Sequence, residues 1–328
     1  MAHSVLPFSL KETPPYGFDQ LMPMLPAPLQ EACQQSPFLA GYVHHLPIET
    51  IGVPAYYAKP NRSLSQLEVK NLIYPIKEGL FVHIFPEFSG GRDHHVSIEP
   101  CAVVNIDHLL PAIEERLVIW AERIGEIEDR DEKKAFLLNL LDAICTTTRR
   151  LPNGKSKTDR IVVTPLELEA IRYRVIRDKI GLGILQPLLL DPYIEDISCS
   201  GVGHIFIEHK IFKSIQSSIT FVDHDDVDNF AVWLGEWIKS PVTVRNPLVD
   251  AVLPDGSRIN IVYGREISKR GSNFTIRKFS GTPTSVLELI EFGSLDYTMA
   301  AYLSLMLEEG MNIFVVGATA SGKTTLLS

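Results

Sequence analysis

Apolar positions along this chain change their spacing several times, and each change predicts a different kind of element. Up to about residue 105, short apolar pieces such as Asn71-Leu-Ile-Tyr-Pro75 and Leu80-Phe-Val-His-Ile-Phe85 stand between the turn signals Pro60-Asn61 and Ser89-Gly90-Gly91. They predict an irregular, strand-containing region behind an arm of roughly 30 residues. Helical spacing then takes over. Ile113, Leu117, Trp120 and Ile124 form one stripe, and Leu137, Leu140, Leu141 and Ile144 another. Thr164-Pro165-Leu166-Glu167 combines a capping residue, a first-turn proline and a capping-box glutamate. Leu168, Ile171 and Val175 continue that helix to a stop at Gly181.

From Leu188 the texture changes again. Ile194–Cys199, His204–Glu208 and Ser218–Val222 read as strands, followed by an amphipathic helix carrying Val227, Phe230, Leu234 and Ile238 on one face. Val242–Arg245, Ala251–Leu253, Arg258–Val262 and Phe274–Phe279 read as further strands, with Pro254-Asp255-Gly256 as a turn. The expected class is a multidomain α+β protein. Its expected parts are a strand-containing region (1–105), a helical segment (106–187), a compact α+β domain (188–280), a linker (281–284) and the start of an α/β core (285–328). In that last part a helix near Asp296–Glu309 leads into a strand, Asn312–Val316.

Directly after that strand stands the pattern GxxxxGK[ST], as Gly317-Ala318-Thr319-Ala320-Ser321-Gly322-Lys323-Thr324, followed by Thr325. Its chemistry is local. Glycines let successive backbone N–H groups turn inward around an anion, the lysine reaches the β- and γ-phosphates, and the hydroxyl coordinates Mg²⁺. Residues 317–325 are therefore the expected ATP site, with Lys323 on the phosphates, Thr324 on Mg²⁺, and a helix opening beneath them. The acidic groups that position water and metal in such enzymes come from later strands. A chain stopping five residues past Lys323 is therefore expected to bind ATP weakly and not to hydrolyse it.

Four stretches stand in order: Pro187-Leu-Leu-Leu-Asp-Pro-Tyr-Ile-Glu-Asp-Ile197, Leu253-Pro-Asp-Gly-Ser-Arg-Ile259, Phe274-Thr-Ile-Arg-Lys-Phe279 and the phosphate loop, with Ser97-Ile-Glu-Pro100 as an earlier point of likeness. Together they resemble one family, the ATPases of type II and type IV secretion systems, and especially the archaeal branch that assembles pili and archaella. The resemblance implies a hexameric ring in which a PAS-like domain (188–280) is hinged to a RecA-like core. It implies arginines swinging from the former onto nucleotide; the matching positions are Arg258 and Arg277. It also implies a motor in the cytoplasm, attached peripherally to the membrane through a polytopic platform protein. The family's later acidic and histidine motifs lie outside this sequence, so hydrolysis is assigned by resemblance to a longer parent. The alternative is a docking or oligomerisation module without catalysis.

Charge and cysteine usage narrow the field without changing it. A net charge of −9 is the wrong sign for a general nucleic-acid binder, so no direct nucleic-acid contact is expected. Four scattered cysteines suit a reducing compartment and form no zinc pattern. No stretch approaches the roughly 20 apolar residues that span a bilayer. His44-His45 and His94-His95 read as solvated loop histidines, the acids of 223–228 as a helix cap, and 149–160 as an exposed basic connector.

Overall fold

The computed structural model describes residues 3–10, 14, 16–147, 160–279, 285–291, 293–317 and 322–327. They fall into two compact units, 1–278 and 279–328.

The first unit is organised by one mixed sheet of eleven strands. Its strands are β1 (His3–Ser4), β2 (Ala55–Tyr56), β3 (Leu72–Pro75), β4 (Phe81–Phe85), β5 (His94–Ile98), β6 (Ile194–Cys199), β7 (Gly203–His209), β8 (Lys213–Phe221), β9 (Leu248–Val252), β10 (Arg258–Val262) and β11 (Asn273–Arg277). They run in the order β9-β10-β11-β6-β7-β8-β5-β4-β3-β2, with β1 added antiparallel to β8. The sheet continues without a break from the early strands to the late ones. The join is a short parallel pairing of β5 with β8, His94 beside Gln216 and His95 beside Ser217.

The early strands are apolar on both sides because both sides are covered. Ile73, Phe85, Val96 and Ile98 pack under the N-terminal helices, beside Leu29, Leu39 and Val43. Leu72, Tyr74, Val82 and Ile84 point the other way, into a core shared with Leu188, Ile197, Ile207 and Ile276. This period-two split makes the N-terminal region and the 188–278 segment share one hydrophobic core.

The helical segment sits between these strand groups in sequence and has its own core, built on Ile113, Leu137, Leu141, Ile171 and Val175. The first expected stripe is broken: one helix covers Leu110–Val118 and a second Ala121–Glu126, with Trp120 between them edge-on to Phe136. The Pro165–Lys179 helix begins with the expected reciprocal cap, Thr164 N–H to Glu167 and Glu167 N–H to Thr164 Oγ1. Gly181 does end it, though without a left-handed backbone. A Cβ there would lie 2.8 Å from both the Arg177 carbonyl and the Gln186 amide oxygen. Ser97-Ile-Glu-Pro100 proves to be an anchor for this helix: Glu99 is buried and accepts from Arg177 Nη1 and Tyr173 Oη, each at 2.7 Å.

Two expected strands are absent. Residues 242–245 are irregular, and their expected successor is displaced to Leu248–Val252. In the second unit, 311–317 form no strand, and Phe314 and Val316 are 88% and 91% exposed. An extended segment needs a neighbour for its backbone groups, and among the described residues this one has none. The rest of that unit comprises the helices Val286–Glu291, Tyr297–Glu308 and Lys323–Leu327. The expected linker 281–284 and nearly all of the basic connector lie outside the described residues. Among the described residues no helix is long and apolar enough to cross a membrane.

Candidate functional site

The phosphate-loop residues belong to the second unit. Ala318, Thr319, Ala320 and Ser321 lie outside the described residues, as do the side chains of Thr324 and Thr325. What is described fits an anion cradle. Gly322 has φ +86°, a left-handed conformation that glycine adopts without strain. The next residue, Lys323, starts the terminal helix and donates from Nζ to the Gly317 carbonyl at 2.9 Å. The Lys323 ammonium thus sits beside the first glycine of the pattern.

Arg258 and Arg277 belong to the first unit, where the fold sets them side by side. The turn 253–257 is built by Leu253 N–H to the Ser257 carbonyl at 2.7 Å and Ser257 N–H to Asp255 Oδ1 at 3.0 Å. Gly256 takes φ +85° there. That turn sets the register of β10, so Arg258 lies directly opposite Arg277 on β11. Like charges on directly opposed sheet positions repel. The nearest counter-charge to Arg277 is Asp196, at 3.9 Å, and the Arg277 side chain remains 81% exposed. Both arginines line an open recess of about 400 Å³ on the outer face of the sheet, with Asp250, Val252, Asn260 and Thr275. Asn260 is held there by its hydrogen bond to Asp250 at 2.7 Å. Two guanidinium groups presented together, without strong neutralisation, are suited to a multivalent anion.

Sequence reasoning missed a buried polar cluster at the join of the sheet. His95 is not a loop residue. It lies in β5 and is fully buried, with Nε2 donating to Asp191 Oδ2 at 2.9 Å. Tyr74 donates to the same oxygen at 2.7 Å, and Tyr193 N–H donates to Oδ1 at 2.8 Å. Burial pushes the Asp191 carboxyl up, but the hydrogen bond and charge of His95, with His209 and Tyr74, hold it below the ordinary carboxylate range. His209 Nδ1 accepts from the backbone N–H groups of Ile211 and Phe212, so its proton is on Nε2, 3.2 Å from the Tyr74 oxygen. Burial drives His209 down to about 3. His44 is helical rather than in a loop, and its Nε2–H donates to the Tyr16 carbonyl at 2.9 Å. The acids of 223–228 do cap a helix, with Asp226 N–H donating to Asp223 Oδ1 at 2.8 Å.

Residues 178–328 match the family model described as type II/IV secretion system protein. The match covers a little under half of the chain. Among individual proteins, the uncharacterized protein MJ0900 of Methanocaldococcus jannaschii is 37% identical over 319 residues, 93% of this chain and 57% of its own length. The uncharacterized protein MJ0781 of the same organism is 36% identical over 153 residues, 45% of this chain and 21% of its own length. VirB11 of Agrobacterium fabrum is 29% identical over 112 residues, 32% of this chain and 31% of that protein. A solved structure of the VirB11 ATPase from the Brucella suis type IV secretion system overlays at 24% identity over 44% of this chain and 49% of that one. The TM-score of that overlay is 0.30. The chain therefore spans little more than half the length of MJ0900 and less of the other relatives.

Proposed function

We propose that this chain supplies the phosphate cradle and the arginine-bearing domain of an ATP-hydrolysing motor for protein export or filament assembly. The observation that carries this reading is the joint presence, inside the family match, of the Gly317–Thr324 loop and the outward arginine pair Arg258 and Arg277. In this reading 188–280 is the PAS-like domain and 285–328 the beginning of the RecA-like core. The working form is a homo-hexamer, in the cytoplasm, docked on a polytopic membrane platform. The two Methanocaldococcus relatives support an archaeal pilus or archaellum branch.

Each residue then has a defined task. Lys323 binds the β- and γ-phosphates, and residues 317–322 with Thr325 wrap them with backbone donors. Thr324 would hold Mg²⁺, which neutralises phosphate charge when bound. Arg258 and Arg277 approach the γ-phosphoryl group and offset charge that develops during its transfer. Because that stabilisation belongs to the transition state, the arginines should govern turnover more than binding.

In an assembly that hydrolyses ATP, Arg258→Ala and Arg277→Ala should each lower turnover by about 100-fold or more. Mg-ATP binding should stay nearly intact in both. Unchanged turnover in both variants sinks the assignment.

A further inference from the structure

Two of the motifs carry charged residues that the phosphate chemistry leaves unused: Asp191 in 187–197 and Lys278 in 274–279. The fold brings them together. Lys278 ends the strand register of β11, its N–H donating to the Glu195 carbonyl at 2.9 Å. Its side chain turns inward, opposite in sense to Arg277, as alternation along a strand requires. There Nζ donates to the Leu188 carbonyl at 3.2 Å and to the Asp191 carbonyl. These carbonyls lie at the end of the short Gln186–Leu190 helix and just past it, where backbone acceptors lack helical partners.

Asp191 is itself immobilised. Its carboxylate takes hydrogen bonds from Tyr193 N–H, Tyr74 and His95, and Tyr74 is held in turn by His209. The end of β11 is thereby tied, through one ammonium, to strands β3, β5 and β7. Among the described residues, the Arg277 side chain has no comparable support beyond the 3.9 Å approach to Asp196. Its aim depends on the backbone that carries it.

We propose that Lys278 is a positioning residue: its ammonium clamps the end of β11 to the Asp191 turn and so fixes the direction in which Arg277 is presented. The charged groups facing this ammonium are Asp191, Lys210, Asp255 and Lys77. The two aspartates attract the ammonium and the two lysines repel it, while its hydrogen bonds go to the Leu188 and Asp191 backbone carbonyls. The proposal rests on the arginine reading above for its catalytic consequence, while the clamp can be measured without nucleotide.

The test uses Lys278→Met and Lys278→Arg in the full chain, with two readouts. Hydrogen exchange at the residue-278 amide should quicken by about tenfold or more in Lys278→Met and stay near the starting value in Lys278→Arg. Exchange in β4 should be unchanged in both. Turnover of the hydrolysing assembly should fall by roughly tenfold in Lys278→Met, since small misplacements of a catalytic group are costly. It should fall no further when Lys278→Met is added to Arg277→Ala. Unchanged exchange in Lys278→Met overturns the clamp. An equal loss of turnover with and without Arg277 overturns positioning and leaves a merely structural lysine. If Arg277→Ala alone is harmless, the arginine reading fails, and the exchange data still decide the clamp.

Discussion

Three donors converge on the Asp191 carboxylate, and that convergence lets a buried charge be satisfied by protein groups. The same logic governs the histidines around it. His209 and His83 are both buried and both driven down to about 3 by burial. His83 accepts at Nδ1 from Tyr42 Oη at 3.0 Å and donates from Nε2 to Asn71 Oδ1 at 2.8 Å, so a second proton has no place on it. In an unfolded chain each would protonate near 6.5. Their folded values are depressed, so the unfolded state binds more protons between about 3 and 6.5. Stability is thus complete above that window and falls as pH drops through it, by at most about 1.4 kcal/mol per pH unit for each histidine. Denaturant midpoints should decline between pH 6.5 and 5, and His209→Gln should flatten part of the decline. A flat wild-type profile contradicts the neutral assignment. None of this was legible in the sequence. His94-His95 follows a glycine-rich turn, so it reads as a loop, and the partner Asp191 is 96 residues away. The phosphate-loop pattern was legible because all of its residues lie within eight positions of chain.

Element ends divide along the same line. Caps made by neighbouring side chains could be read directly: Thr164 with Glu167, Asp223 with Asp226, and Asp296, whose Oδ1 accepts from Met299 N–H at 2.7 Å. The end of the His224–Trp237 helix could not be read that way, because its stop residue is a lysine. Ser240 N–H donates to the Gly235 carbonyl and Lys239 N–H to the Glu236 carbonyl, the paired bonds of a Schellman motif, with Lys239 at φ +57°. A left-handed lysine carries a cost that glycine lacks. Lys239→Gly should stabilise the protein by about 0.5–1 kcal/mol, seen as a raised thermal midpoint. A lowered midpoint contradicts this account of the helix end. Strand 312–316 failed for a different reason: its apolar residues promised a buried strand, but a strand exists only with a partner.

At the scale of the molecule, local patterning gave the right kinds of element in nearly the right places and could not give their adjacency. The run of one sheet from β2 to β9 depends on β5 meeting β8 across more than a hundred residues, and no periodicity announces such a pairing. The consequence is that the segment carrying Arg258 and Arg277 stands on a core it shares with the N-terminal region. Nucleotide recognition is the centre of the proposed function, and Lys323 is the residue on which it most depends. Fluorescent Mg-ATP analogue titrated into the protein and its Lys323→Ala variant is the direct measurement. The account predicts saturable, Mg²⁺-dependent binding that weakens by about tenfold or more when the ammonium is removed, the loss of a charge-assisted contact to phosphate. Binding of equal strength in the two proteins, or none at millimolar nucleotide, would contradict it.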